Sequence, residues 1–72
     1  MKYEMFSHAI TLEGEIYDTF GIVATDQQQN TYVFEDITTF KNELEKFVAF
    51  LNEENVSLRC FKILLELFIE NT

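Results

Sequence analysis

The sequence predicts an α+β fold, in which a three-stranded antiparallel meander is followed by two helices packed on one sheet face. Two stretches rich in β-prone residues meet at Gly14, and a third, shorter one follows the polar residues 26–30. From about residue 36 onward, apolar residues recur at the three- and four-residue spacing of helices. At 72 residues the chain has room for a single domain, spanning 1–72.

The first two strands are predicted over about residues 2–11 and 15–25, joined by a three-residue loop that Gly14 closes in the left-handed conformation. The cross-strand pairs expected from this loop are Ile10–Ile16, His8–Asp18, Phe6–Phe20 and Glu4–Ile22. Aromatic residues then meet each other, and so do the two polar residues. A loop shifted by one residue gives the competing register.

The third strand is predicted over about residues 31–35, after a turn with three consecutive glutamines. The even-numbered residues form the apolar sheet face: Phe6, Ile10, Ile16, Phe20, Ile22, Ala24, Tyr32 and Phe34. The odd-numbered face is mixed, and its apolar members are Tyr3, Met5, Tyr17, Val23 and Val33. Such a face exceeds what one small core can absorb, which is typical of a contact surface.

The helices are predicted over about residues 38–54 and 58–70. Asp36 or Thr38 can cap the first helix, whose core-facing stripe leaves Phe50 on another side. Ser57 is the expected cap of the second helix, with Val56 and Phe61 placed as a hydrophobic staple. Apolar residues cover well over half the circumference of the second helix, so we expect it to be covered on several sides.

Composition limits the possible partners and location. The formal charge of 5 − 13 = −8 argues against direct binding of nucleic acid through its phosphates. The sequence shows no signal peptide and no apolar run long enough for a membrane span. A lone cysteine, Cys60, fits a reducing compartment, so we expect a cytoplasmic protein.

The best candidate for a catalytic pair is His8 opposite Asp18 on the first hairpin. An ordinary cross-strand ion pair is the simpler interpretation of these two residues. No nucleophile is placed beside that pair. Cys60 is expected to pack as a small hydrophobe on the apolar arc of its helix. The carboxylates show no calcium-loop spacing, and two glycines cannot form a phosphate loop. We therefore expect no catalytic residue, metal site or cofactor, and a protein that is not an enzyme.

Four short motifs resemble those of a small bacterial family, a domain of unknown function. They are Phe20-Gly21-Ile22, Asp36-Ile37-Thr38, Val56-Ser57-Leu58 and Leu67-Phe68-Ile69. The family pattern has a Tyr-Gly-Ile-type strand, an Asp-Ile-Ser/Thr helix entry and a closing amphipathic helix. Phe20 departs from its tyrosine. The resemblance, from about residue 17 onward, implies a β-rich first half followed by helices, and it implies no activity.

The surplus apolar surface predicts a non-enzymatic protein–protein interaction or regulatory module that forms a homodimer and acts on another protein. The expected contact residues are Phe50, Tyr3, Met5, Tyr17, Val23 and Val33. An alternative is an acidic decoy that inhibits a nucleic-acid-binding protein. Its carboxylates would be Glu13, Glu15, Asp18, Glu53, Glu54 and Glu70. A more remote alternative is a small enzyme that uses His8 and Asp18.

Overall fold

A computed structural model describes residues 1–71 and confirms the predicted α+β fold. The strands are β1 (Lys2–Leu12), β2 (Glu15–Thr25) and β3 (Thr31–Thr38), and the helices are α1 (Lys41–Glu53) and α2 (Leu58–Glu70). The sheet is antiparallel in the order β1-β2-β3, so β2 is central and the other two strands are edges. Both helices lie against the same face of the sheet.

The register of the first hairpin differs from the expected one by one residue. Leu12 pairs with Glu15, so the loop contains only Glu13 and Gly14. Their φ angles are 51° and 82°, which is the type I′ turn that matches the twist of two-residue hairpins. His8 therefore pairs with Thr19 rather than with Asp18. The competing register is the one that forms.

The shift exchanges the two faces of β1. Tyr3 and Met5 pair with Ala24 and Ile22, so they lie on the helix-covered face, and Tyr3 is only 1% exposed. The opposite face carries six apolar side chains and no helix, and we call it the outer sheet face. Its apolar members are Phe6, Ile10, Leu12, Tyr17, Val23 and Val33. The predicted even-numbered face is thus correct for β2 and wrong for β1.

The start of α1 also differs from its prediction. β3 continues to Thr38 through a bulge in which residues 35–37 stand opposite Gly21, and Asp36 has a positive φ of 52°. Asp36 therefore does not cap the helix. Thr38 does not cap the helix either: the N-cap is Phe40, whose side chain makes no capping hydrogen bond, and Thr38 Oγ1 accepts a hydrogen bond from the backbone N–H of Phe40.

The connection between the helices is a Schellman motif. Asn55 has a φ of 49°, its N–H donates to the carbonyl of Asn52, and the N–H of Val56 donates to the carbonyl of Leu51. Ser57 then caps α2 by accepting a hydrogen bond from the N–H of Cys60, as the sequence predicts.

Phe61 of α2 is the centre of the core. Its ring contacts Tyr3 at a centroid distance of 5.0 Å, Phe34 at 4.9 Å and Phe47 at 6.3 Å. One aromatic side chain thus joins strands β1 and β3 to both helices. Burial, followed by the nearby Cys60, raises the pKa of Tyr3, whose hydroxyl donates to the carbonyl of Val56.

Strand β1 is tied to α1 at its first residues. Asn52 Oδ1 accepts a hydrogen bond from the Tyr3 N–H, and Asn52 Nδ2 donates to the Tyr3 carbonyl, each at 2.8 Å. The amide side chain thereby occupies the position that a neighbouring strand would take at this point of the sheet edge.

Candidate interaction surfaces

The outer sheet face is apolar and has no secondary-structure element packed on it among residues 1–71. Leu12 is 57% exposed and Val33 is 54% exposed. Near the hairpin end, Ile10, Leu12 and Tyr17 line an open depression of about 510 Å³ that reaches Thr39. The face combines apolar side chains with a concavity, which are features of protein contact surfaces.

A second apolar area lies on the helix layer. Ile63 and Leu67 of α2 are 58% and 50% exposed, and because they are four residues apart they share one helix face. On α1, Phe47 stacks on Phe68 of α2, and Phe50 is exposed about 60° further around the helix. We call Phe50, Ile63 and Leu67 the helix stripe. The expected covering of α2 on several sides does not occur within the described chain.

The structure divides the predicted contact residues among three places. Tyr17, Val23 and Val33 lie on the outer sheet face, as expected from the sequence. Phe50 is exposed on the helix layer, on the other side of the sheet. Tyr3 is buried and Met5 is partly buried against the core, so their side chains do not belong to the outer sheet face.

Sequence reasoning missed three residues of the outer sheet face, Phe6, Ile10 and Leu12. The favoured register placed Phe6 and Ile10 on the face that the helices cover. The signal that could have found them was the competing register, in which a two-residue Glu-Gly turn joins the strands.

A polar cluster interrupts the outer sheet face. Asp36 Oδ1 accepts a hydrogen bond from the hydroxyl of Thr19 at 2.5 Å and lies 3.2 Å from Nδ1 of His8. The hydrogen bond from Thr19 and the contact with His8 hold the pKa of the Asp36 carboxyl below its usual value. The bulge in β3 brings Asp36 to this position, since Thr19 and His8 come from the first hairpin.

The catalytic pair expected from the sequence does not form. Asp18 pairs with Ala9, so its side chain points to the opposite face from His8. In the cluster that does form, the hydroxyl of Thr19 donates to the carboxylate of Asp36 rather than to the imidazole of His8. Cys60 is exposed, contrary to its expected packing, and it lies on the helix layer.

Three potential metal ligands lie close together at this cluster. Ligand atoms of His8, Glu35 and Asp36 are within 4.8 Å of one another, and all three residues are exposed. Asp36 Oδ1 already has Thr19 and His8 as neighbours, and solvent competes at every ligand position. The arrangement is chemically compatible with a weakly held divalent cation.

Five of the six carboxylates of the decoy hypothesis form two separate groups, and Glu70 is the last residue of α2. Glu13, Glu15 and Asp18 lie around the hairpin turn, whereas Glu53 and Glu54 follow Asn52, which contacts Tyr3 at the far end of β1. The rise of an extended strand puts these groups about 30 Å apart. They do not form one continuous anionic surface.

No helix in the described part of the chain is long and apolar enough to cross a membrane. Comparisons of the chain with protein-family models, with curated proteins and with solved structures found no match.

Proposed function

We propose that the protein is a non-enzymatic protein–protein interaction module that forms a homodimer and binds another protein. The observation that carries the proposal is the outer sheet face, on which all three strands place apolar side chains and no secondary-structure element of residues 1–71 packs. Exposing apolar surface of this kind to water costs free energy, and binding a partner that covers it is therefore favourable.

Size supports self-association as part of this function. The chain has no disulfide and only 72 residues, and chains of this length bury a smaller fraction of their surface than larger domains do. The exposed helix stripe adds to the apolar area that the folded chain leaves in water. A dimer links folding to additional burial, and its stability increases with protein concentration.

The open depression beside Ile10, Leu12 and Tyr17 supports the docking of another protein's side chain. A few buried anchor residues, most often tryptophan, tyrosine or arginine, account for most of the binding free energy at protein interfaces. His8 and Asp36 interrupt the apolar area and can give orientation through hydrogen bonds.

The first test is molar mass by light scattering over a wide range of protein concentration. We expect a dimer that gives way to a monomer on dilution. A second test captures binding proteins from native lysate with the wild type, with Val33→Lys and with the control Thr31→Lys on the same face of β3. We expect Val33→Lys alone to lose a bound protein, because it places a charge in the apolar area.

A protein that stays monomeric at every concentration would contradict the homodimer. Equal capture by Val33→Lys and the wild type would contradict the use of the outer sheet face. Both variants change the net charge by the same amount, so an effect common to the two would indicate electrostatics rather than apolar contact.

A further inference from the structure

Along the edge of β1 that faces away from β2, every second residue directs its backbone N–H and C=O groups outward. In a two-residue hairpin the residues flanking the turn, Leu12 and Glu15, form a hydrogen-bonded pair. The even-numbered residues of β1 therefore bond to β2, and the odd-numbered residues direct their N–H and C=O outward. Tyr3 shows this directly, since both of its backbone groups bond to Asn52 instead of β2.

Beyond Tyr3 the outward groups have no partner in residues 1–71. They belong to Met5, Ser7, Ala9 and Thr11, and the last three of these residues are exposed. The pairing with β2 continues without a bulge along all of β1. The outer edge of β1 is therefore a regular strand edge that can accept another strand.

The other edge of the sheet, on β3, has features that prevent the addition of another strand. β3 is broken by its bulge, Asp36 has a positive φ, and Glu35 and Asp36 place two carboxylates there. Bulges and charges are the usual means by which proteins prevent strands from adding to a sheet edge. Residues 5–12 of β1 contain no proline, lysine, arginine or carboxylate. The two edges thus differ in their bulges and in their carboxylates.

We propose that the β1 edge of a second copy of this chain pairs with this edge in antiparallel fashion, so that the two sheets become one. This inference rests on the proposed homodimer and specifies its interface. The edge itself favours a second copy as the occupant, because its four outward residues can all pair with those of another copy in one register, which also sets the apolar Phe6 opposite Ile10. The net charge of −8 on each copy opposes association wherever carboxylates approach. Residues 5–12 are a segment in which two copies can meet without bringing carboxylates together.

The positions of the outward groups determine the register. Asn52 occupies the edge at Tyr3, which leaves the four odd-numbered residues from Met5 to Thr11. All of them pair only if the two-fold axis passes through His8, which then lies opposite its own copy. Met5 pairs with Thr11 and Ser7 with Ala9, each residue meeting one from the other copy.

The same register matches side chains on the outer sheet face. Phe6 lies opposite Ile10 of the second copy, and the two-fold axis repeats this apolar pair on the other side of His8. Each His8 remains beside its own Asp36 carboxylate, at 3.2 Å. The apolar outer faces of the two copies become neighbours and form one wider surface for a further protein.

The test uses His8→Cys in a Cys60→Ser background. Residues facing each other across the axis form a non-hydrogen-bonded pair with Cα atoms about 4.5 Å apart, within the range of a disulfide. We expect mild oxidation to convert this variant into a covalent dimer. The control is Asp18→Cys in the same background, because residues on the two β2 strands would be about 14 Å apart, three strand spacings.

Two further measurements test the same interface without the His8→Cys variant. In the wild type, the amides of Ser7, Ala9 and Thr11 should exchange with solvent at least tenfold more slowly at high than at low protein concentration. Ala9→Pro removes an outward N–H without removing a bond to β2, so it should weaken dimerisation at least tenfold, while Ala9→Val should not. Circular dichroism verifies that both variants fold.

A covalent dimer of the His8→Cys variant, together with concentration-dependent amide protection, supports the β1 interface. A dimer by light scattering that shows neither result overturns this interface and leaves the proposed function intact. A monomer at all concentrations overturns the interface and the proposed homodimer together.

Discussion

Phe6 lies across Gly21 on the outer sheet face. The two residues are cross-strand partners, and a Cβ atom built on Gly21 would come within 2.7 Å of the Phe6 ring and 2.3 Å of the backbone carbonyl oxygen of Phe34. The β3 bulge brings that carbonyl close, since residues 35–37 all stand opposite Gly21. Glycine is required at position 21 because the neighbouring strand approaches too closely for a side chain. Gly14 is required for a different reason, its positive φ angle.

Gly21→Ala should therefore destabilise the protein by about 1–3 kcal/mol, measured by urea unfolding, since the added methyl forces the backbone to move. The double variant Gly21→Ala with Phe6→Leu is the control that separates the two contacts. A smaller side chain at position 6 relieves only the ring contact, so most of the loss should remain. Full recovery in the double variant would show that the carbonyl of Phe34 can move easily.

Asn52→Ala should remove both hydrogen bonds that tie β1 to α1, at a cost of about 1–3 kcal/mol in the free energy of unfolding. The matched control is Asn42→Ala, an exposed asparagine of the same helix. Amide exchange at Tyr3 should also accelerate in Asn52→Ala alone. Equal stability of the two variants would mean that water replaces the amide without loss.

Glu13→Asn should stabilise the hairpin by up to about 1 kcal/mol. Glu13 has a φ of 51°, a conformation that costs a glutamate free energy and that asparagine tolerates well, particularly before glycine in a type I′ turn. Thermal unfolding measures the effect. Glu13→Gln removes the same charge without the backbone preference, so a gain of equal size there would assign the effect to charge.

Thr19→Val should raise the pKa of Asp36 toward its usual value of 3.8, because the valine cannot donate the hydrogen bond that lowers it. The pKa of Asp36 is lower in the folded than in the unfolded protein. Its stabilising contribution is therefore present above the usual value and is lost as pH falls through the folded value. The stability difference between wild type and variant should shrink in the same acidic range.

A carbon-13 NMR titration of the side-chain carboxyl measures the pKa of Asp36 directly. Thr25→Val is the control, since Thr25 lies on the same strand and makes no side-chain hydrogen bond to a carboxylate among residues 1–71. An unchanged titration in Thr19→Val would mean that His8, and not Thr19, determines the pKa.

The fold class and the α2 boundaries could be predicted because their signals are local. Ser57 lies directly before the apolar run of α2 and its side chain accepts the N–H of Cys60, three residues further along. The alternation of β2 likewise assigned Phe20, Ile22 and Ala24 to the covered face, because a central strand has one face that the helices bury.

The register of β1 could not be predicted in the same way. Pairing Phe6 with Phe20 looked favourable, yet the structure pairs Phe6 with Gly21, because a two-residue turn forms where the sequence has Glu-Gly rather than Asn-Gly. One residue of shift moved Tyr3 into the core and Phe6 out of it. The turn length decides which residues of an edge strand face the core. A glutamate at the first turn position is a weak indication of a two-residue turn, because the left-handed conformation is uncommon for glutamate.

The polar cluster was missed because it depends on contacts distant in sequence. Asp36 has the sequence context of a helix cap, and its side chain instead meets Thr19 and His8, which are 17 and 28 residues away. Capping rules describe only neighbouring backbone groups. A β bulge that redirects one carboxylate leaves no pattern in the sequence around it.

The contacts of Tyr3 have a consequence for the order of events during synthesis. Its partners Asn52 and Val56 are 49 and 53 residues further along the chain, and the Phe61 ring that covers it comes later still. Synthesis begins at the N-terminus, so the first strand emerges long before any residue that can cover it. The nascent hairpin therefore leaves the charge-free segment of residues 5–12 without its helix cover until the rest of the chain has emerged, and a chaperone that binds extended apolar segments can act during that time.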